Sequence, residues 1–196
     1  TGTVAGGFAA QYVNLGVPYI MRIAALALTF AIAFFLMHDE GFKPKRNNSF
    51  TEEVKDVVSG ALEFGFRNAP IRWMMLSNLF IGGVGIFAFY AAQPYLLQLY
   101  GDESSYAVAG AAAAVFAGAQ IIGGLLVPYA GIVFKRRTSL IVAGTAAAAA
   151  ALVLIGFAGS FWLVLALLTV WAIVWAVIGP IRQAYVNGIV PSEQRA

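Results

Sequence analysis

The chain has 196 residues, of which 61% are hydrophobic and 11% charged, with a net charge of +3, one histidine and no cysteine. Ordinary soluble domains carry about 25% charged residues, so this composition excludes a water-soluble globular protein. The missing cysteines exclude disulfides and thiolate metal sites. The charges sit in short segments between apolar runs rather than on a basic polar surface, which argues against nucleic acid as a partner.

In chain order, Thr1 to Tyr12 is apolar but short. At about 1.5 Å per residue it covers only part of a ~30 Å hydrocarbon core, and it reads as the end of a helix whose start precedes this sequence. Asn14–Pro18 is a turn. Val17 to Met37 is the first full span, with Arg22 near its start. A connector follows from His38 to about Arg72; His38 is read as a bland interfacial residue, since a metal site needs several convergent ligands. Ser49-Phe50-Thr51-Glu52 fits a capping box. Val54, Val57, Val58, Ala61 and Leu62 recur at helical spacing, so an amphipathic surface helix is expected over about 50–67, on the leaflet or on the bundle.

Trp73 to Tyr100 is the second span, Gly101–Ser105 a polar turn, Tyr106 to Phe134 the third span, and Lys135-Arg136-Arg137 a tight basic loop. From Thr138 to Ile181 run 44 residues without an acidic, basic or histidine side chain. That is about 66 Å of helix, so it must cross a bilayer twice. The break is expected at Gly156–Ser160, giving spans Thr138–Ile155 and Phe161 to about Asn187. The fold class is therefore all-α, a polytopic transmembrane helix bundle with the lipid bilayer as its solvent.

Eleven of the twelve Lys and Arg residues fall on one side of these spans, and only Arg22 on the other. The positive-inside bias assigns the connector, the Lys135–Arg137 loop and the C-terminal end to the cytoplasm. Trp73, Tyr100, Tyr106 and Trp162 mark span ends, as an aromatic belt does.

Small residues at Gly110, Ala114 and Gly118, and at Gly144 and Ala146–Ala151, read as close-packing seams. Polar residues inside the spans are more informative, because an unpaired polar group in hydrocarbon is costly. Asn78, Gly82, Gly85, Phe89 and Gln93 share a face of the second span. Gln120 lies near the middle of the third, beside Ala113, Phe116, Ala117 and Gly124. Trp171, Trp175, Ile178 and Arg182 share a face of the fifth, with Thr169 nearby. These faces can enclose a polar, aromatic-lined cavity; the competing reading is that the amides are interhelical glue and the tryptophans packing. Arg182, after the kink-prone Gly179-Pro180, reads first as a snorkelling side chain and second as a ligand for a substrate anion. All nine acidic residues lie in loops or the connector. A proton-coupling carboxylate, if the protein is proton-driven, is then expected outside this sequence.

Three motifs carry a family resemblance. Gly2-Thr3-Val4-Ala5-Gly6-Gly7 is similar to the fifth-helix antiporter signature Gly-Pro-x-x-Gly-Gly of the major facilitator superfamily, with Thr3 in the proline slot. Lys135-Arg136-Arg137 resembles the basic end of the loop signature Asp-Arg-x-Gly-Arg-Arg, with Ile132, Val133 and Lys135 in the Asp, Arg and Gly slots. Pro191–Ala196 resembles the Pro-x-x-x-Arg-Gly/Ala loop after the tenth helix. The resemblance implies a stretch from the end of the fifth helix to the end of the tenth: residues 1–37 from the N-terminal half-bundle, a cytoplasmic connector over 38–72, and the first four spans of the second half over 73–196.

It also implies a secondary transporter, not an enzyme, moving a small organic solute across a prokaryotic-type cytoplasmic (inner) membrane by alternating access, with efflux favoured over uptake. Asn78, Gln93, Gln120, Trp171 and Trp175 are the expected substrate-pathway residues, Asn78 as a gate. Lys135, Arg136, Arg137 and Arg182 are the expected cytoplasmic gate. No cofactor or metal is expected, and a proton is the first candidate for a coupling ion. Two rivals stand beside this: a transport-inactive sensor or assembly bundle, and an intramembrane enzyme. The second would need an acid–base pair or metal cluster that no span carries. Substrate identity and oligomeric state are not legible in the residues.

Overall fold

The computed structural model describes residues 2–37 and 50–189. His38, Lys43, Lys45, Arg46, Ser49 of the expected capping box, and the Pro191–Ala196 motif lie outside the described residues. Within them the chain is helical and without strands: α1 (Gly2–Tyr12), α2 (Val17–Leu36), α3 (Phe50–Gly60) continued by a π-helical turn (Ala61–Phe66), α4 (Ala69–Tyr100), α5 (Tyr106–Val133), α6 (Arg137–Phe157) and α7 (Phe161–Ile189). Five of these, α2 and α4 to α7, are long and apolar enough to cross a membrane. The protein is an all-α membrane bundle.

The ends follow local chemistry. α4 starts at Ala69, four residues before the expected Trp73, because Pro70 occupies its first turn, where a missing N–H costs nothing and the fixed φ suits a helix. Arg72 is thus helical; its guanidinium donates back to the Phe66 carbonyl at 3.3 Å and lies 5.9 Å from the Trp73 ring. α6 runs through Gly156 to Phe157 and ends at Ala158, later than the expected Ile155, since one glycine weakens a helix by only about 1 kcal/mol. The connector helix forms over 50–66, but its last turn widens, with Arg67 N–H donating to the Leu62 carbonyl. Val54, Val58 and Leu62 remain exposed, so the bundle does not cover these three side chains.

α7 is the hub, packing along α5 and α6 and more lightly on α4, while α1 packs on α5. The buried side chains form two clusters. Leu96, Ala112, Ala158, Val164 and Leu168 fill the end near the α6–α7 turn; Ala88, Ala148, Ala151 and Trp171 fill the middle. The Tyr95 hydroxyl ties α4 to that turn by donating to the Ala158 carbonyl at 2.9 Å.

Two glycine contacts set the closest helix approaches. A Cβ on Gly123 would stand 2.5 Å from the Ile173 carbonyl oxygen of α7, and one on Gly110 would stand 2.6 Å from the Thr3 carbonyl oxygen of α1. Small residues permit such approach where lipid gives no hydrophobic drive to associate. The expected seam on α5 is shorter than its spacing suggested: Gly110 packs on α1, but Gly118 has nothing within 4 Å of where a Cβ would stand. On α6 the seam does form, with Ala148 and Ala151 buried and Gly144 against Ile178. α2 buries no residue and presents Phe30, Phe34, Phe35 and Leu36 outward.

Candidate functional site

Two cavities with polar side chains in their walls open between the helices, beside a largely apolar one of about 480 Å³ against α4, α6 and α7. The first, about 260 Å³, is walled by four of them: Thr3 of α1, Phe89 and Gln93 of α4, Phe116 and Gln120 of α5, and Thr169 of α7. The second, about 330 Å³, lies toward the Lys135–Arg137 end, between α4, α6 and α7. Its polar lining is Asn78, Thr145, Arg182 and Gln183, and its apolar lining includes Met74, Met75 and Trp175.

The five expected pathway residues therefore do not share one chamber. Gln93 and Gln120 meet in the first cavity; Asn78 and Trp175 line the second. Trp171 lines neither. It is 3% exposed, packed among Ala88, Ala148 and Ala151, and its indole N–H finds no acceptor among the described residues. The reason is helix rise. Asn78 and Gln93 share a face of α4 but stand about 22 Å apart along its axis, too far for one small chamber.

The two cavities are linked by rings. Phe89 and Phe116 lie 6.0 Å apart, Phe116 and Trp171 5.9 Å, and Trp171 and Trp175 5.4 Å. These separations are in the range of favourable aromatic pairs. Gly85 makes room for the far end of the row, since a Cβ there would stand 3.0 Å from the Trp175 Cζ2.

Asn78, Gln93 and Gln120 are exposed within the bundle, and none has a hydrogen-bond partner among the described residues. They tie no helices together here, so the glue reading finds no bond to rest on. The Thr169 and Thr145 hydroxyls donate to the Leu165 and Ile141 carbonyls of their own helices at 2.7 Å, which leaves each an acceptor toward its cavity.

The four basic residues also separate. Arg137 donates to the Ala184 carbonyl at 3.2 Å, clasping α7, while Lys135 and Arg136 are exposed. Arg182 does not join them; its side chain lines the second cavity. Among the described residues no three His, Cys, Asp or Glu side chains gather, so both cavities offer neutral amides, hydroxyl oxygens, aromatic faces and one guanidinium.

Sequence reasoning missed Thr3, Met74, Met75 and Thr145 as cavity residues. Met74 and Met75 were findable, being one turn before Asn78 on the same helix. Thr3 becomes a wall only because α1 is drawn onto α5 by the Gly7–Gly110 contact.

A family model described as Major Facilitator Superfamily matches residues 1–196. The chain belongs to the Major Facilitator Superfamily. It is thus a secondary-transporter family protein, integral to a membrane, and the resemblance carried by its three motifs is of the right family. No curated protein and no solved structure matches it. As a Major Facilitator Superfamily chain, its cavities lie between helices of a bundle, where ligand sites of membrane transporters are built.

Proposed function

We propose that the protein carries a small organic solute across a prokaryotic-type cytoplasmic membrane by alternating access, with the first cavity as the solute site. Residues 1–37 belong to one half-bundle and 73–196 to the other, so the α1–α5 contact is a contact between halves. The carrying observation is the convergence of Gln93 and Gln120, from different helices and with no described protein partner, on a chamber walled by Phe89 and Phe116. Unpaired amides at this depth favour a wet or ligand-filled space over lipid. Amides that both donate and accept suit a neutral polar group, and the rings suit an apolar or aromatic body. The Lys135–Arg137 loop and Arg182 lie at the cytoplasmic end, and Asn78 and Trp175 line the way from it. Efflux is favoured because Gly2–Gly7, similar to the antiporter signature, sits against α5.

The test is flux. The full-length protein, reconstituted in liposomes loaded with a pH-sensitive dye, is challenged with a panel of small organic solutes. A transported solute should lose about tenfold or more of its rate in Gln93→Ala and Gln120→Ala, the scale of one lost buried hydrogen bond to a substrate. Unchanged rates in both variants would remove these residues from the site. The second reading, a transport-inactive sensor or assembly bundle, has one point in its favour: no described span carries a carboxylate. It predicts no solute flux at all.

A further inference from the structure

We propose that the second cavity binds an amphipathic organic monoanion, its carboxylate on Arg182 and its apolar or aromatic body against Trp175 and the neighbouring methionines. The inference does not need the Gln93–Gln120 cavity to be the transport site.

The case begins with a charge that no described side chain answers. Arg182 is only partly exposed, lines the cavity, and has no hydrogen-bond or ion-pair partner among the described residues. Its guanidinium stays charged and offers a planar fork of donors that fits a carboxylate. The carboxylates among the described side chains are Asp102 and Glu103. Both follow the far end of α4, about 33 Å of helix beyond Asn78, so neither can answer Arg182. Desolvating a cation is unfavourable, and a bound anion offsets that cost.

The rest of the lining selects the kind of anion. Arg182 is the one cation among the described residues that line the cavity, which suits a single negative charge. Asn78, across the cavity on α4, has no described partner either and can donate to the same head group. Trp175 is a fixed wall. One side is stacked on Trp171 at 5.4 Å, and its benzo edge is seated in the notch left by Gly85. Met74, Met75 and Ile178 continue the apolar surface, and methionine packs adaptably against aromatic rings. At about 330 Å³ the space is at the small end for ligand pockets, which fits a body of one or two fused rings. Arg182 lines the cavity and is only partly exposed, whereas a side chain that merely snorkelled would run out to the head-group region.

The experiment uses full-length protein in phosphatidylcholine nanodiscs and two probes of one shape, naphthoate and its neutral isostere naphthamide, measured by equilibrium dialysis. Naphthoate should bind at least about tenfold more tightly, as a charge-assisted contact provides. Arg182→Gln should abolish that preference while leaving naphthamide affinity within about twofold. Arg182→Lys, which keeps the charge, should retain part of it, and guards against a Gln variant that fails to fold. Trp175→Leu should weaken both probes together. Equal affinity of the two probes for the unmodified protein, absence of saturable naphthoate binding, or a preference that survives Arg182→Gln would each overturn the proposal. None of these outcomes depends on solute flux. Repeating the titration with phosphatidylglycerol present separates the sources of the anion. Competition lost in Arg182→Gln supports the site with lipid as its occupant, and no competition supports a soluble organic acid.

Discussion

Trp171 and Trp175 stack on one face of α7 with ring centroids 5.4 Å apart and planes 26° apart, yet only Trp175 touches a cavity. Trp171 is sealed beneath Ala88, Ala148 and Ala151, and its indole N–H has no acceptor among the described residues. Its value is its bulk, which partitions the two chambers. Trp171→Phe keeps a ring and removes a donor whose burial costs about 1–3 kcal/mol. The lost volume and the removed penalty should nearly cancel, leaving stability within about 1 kcal/mol of the unmodified protein. Trp171→Ala should lose about 3–5 kcal/mol. Thermal unfolding in detergent checks the order. A Phe variant as unstable as the Ala variant would mean that the N–H has an acceptor after all.

The α1–α5 contact predicts a contrast between two glycines on one helix. A Cβ at Gly110 would meet the Thr3 carbonyl at 2.6 Å and the Gly7 Cα at 2.9 Å, both backbone atoms, while one at Gly118 would meet nothing within 4 Å. Gly110→Ala must push the helices apart and should cost about 1–3 kcal/mol. Gly118→Ala should be neutral or stabilising by up to about 1 kcal/mol through helix propensity. The melting temperature should fall in Gly110→Ala and hold or rise in Gly118→Ala; equal losses would dissolve the seam.

The spans were legible because lipid demands long charge-free runs, and Thr138 to Ile181 meets that demand for two helices at once. The boundary at Ala69 was less so, since Pro70 starts a helix as readily as it ends a linker. The site was legible by helix but not by chamber. Periodicity tells which residues of α4 share a face, and Asn78 and Gln93 do. It does not tell how α4 is rotated against α7, nor that Ala148 and Ala151 of α6 close over Trp171 while leaving Trp175 open. Arg182 shows the same gap: its distance from the helix end suggests snorkelling, and only the packing of α4, α6 and α7 makes it a cavity wall.

Asp102 predicts a local pH effect in the α4–α5 turn. Its Oδ1 accepts from the Ser104 N–H at 2.9 Å and the Ser104 hydroxyl at 2.6 Å, and its Oδ2 accepts from the Ser105 hydroxyl at 2.5 Å. The Ser104 and Ser105 hydroxyls, then the Ser104 amide, hold the carboxyl below its ordinary 3.8. A carboxylate depressed in the folded state contributes order that is complete above pH 3.8 and is lost as pH falls through the lower folded value. Amide exchange over residues 101–106, corrected for its intrinsic pH dependence, should therefore accelerate only in strong acid. Asp102→Asn should show fast exchange already at neutral pH. If its exchange matches the unmodified protein there, the carboxylate does not organise the turn.

Gly101 ends α4 with φ at +86° and ψ at 7°, and its N–H donates to the Leu97 and Gln98 carbonyls at 3.1 and 3.2 Å. This left-handed cap satisfies carbonyls that the helix would otherwise leave open. A Cβ here would meet no atom within 4 Å, so any penalty on substitution is conformational rather than steric contact with a neighbour. Gly101→Ala should cost roughly 1–2 kcal/mol. Gly101→Asn should recover most of that, because asparagine enters the left-handed region at low cost. Gly156→Ala is the matched control: it too has open space around its Cβ position, but it lies in the last turn of α6 without a positive φ, and should gain up to about 1 kcal/mol. Thermal unfolding that ranked Gly101→Asn no better than Gly101→Ala would show that the turn can re-form without the left-handed residue.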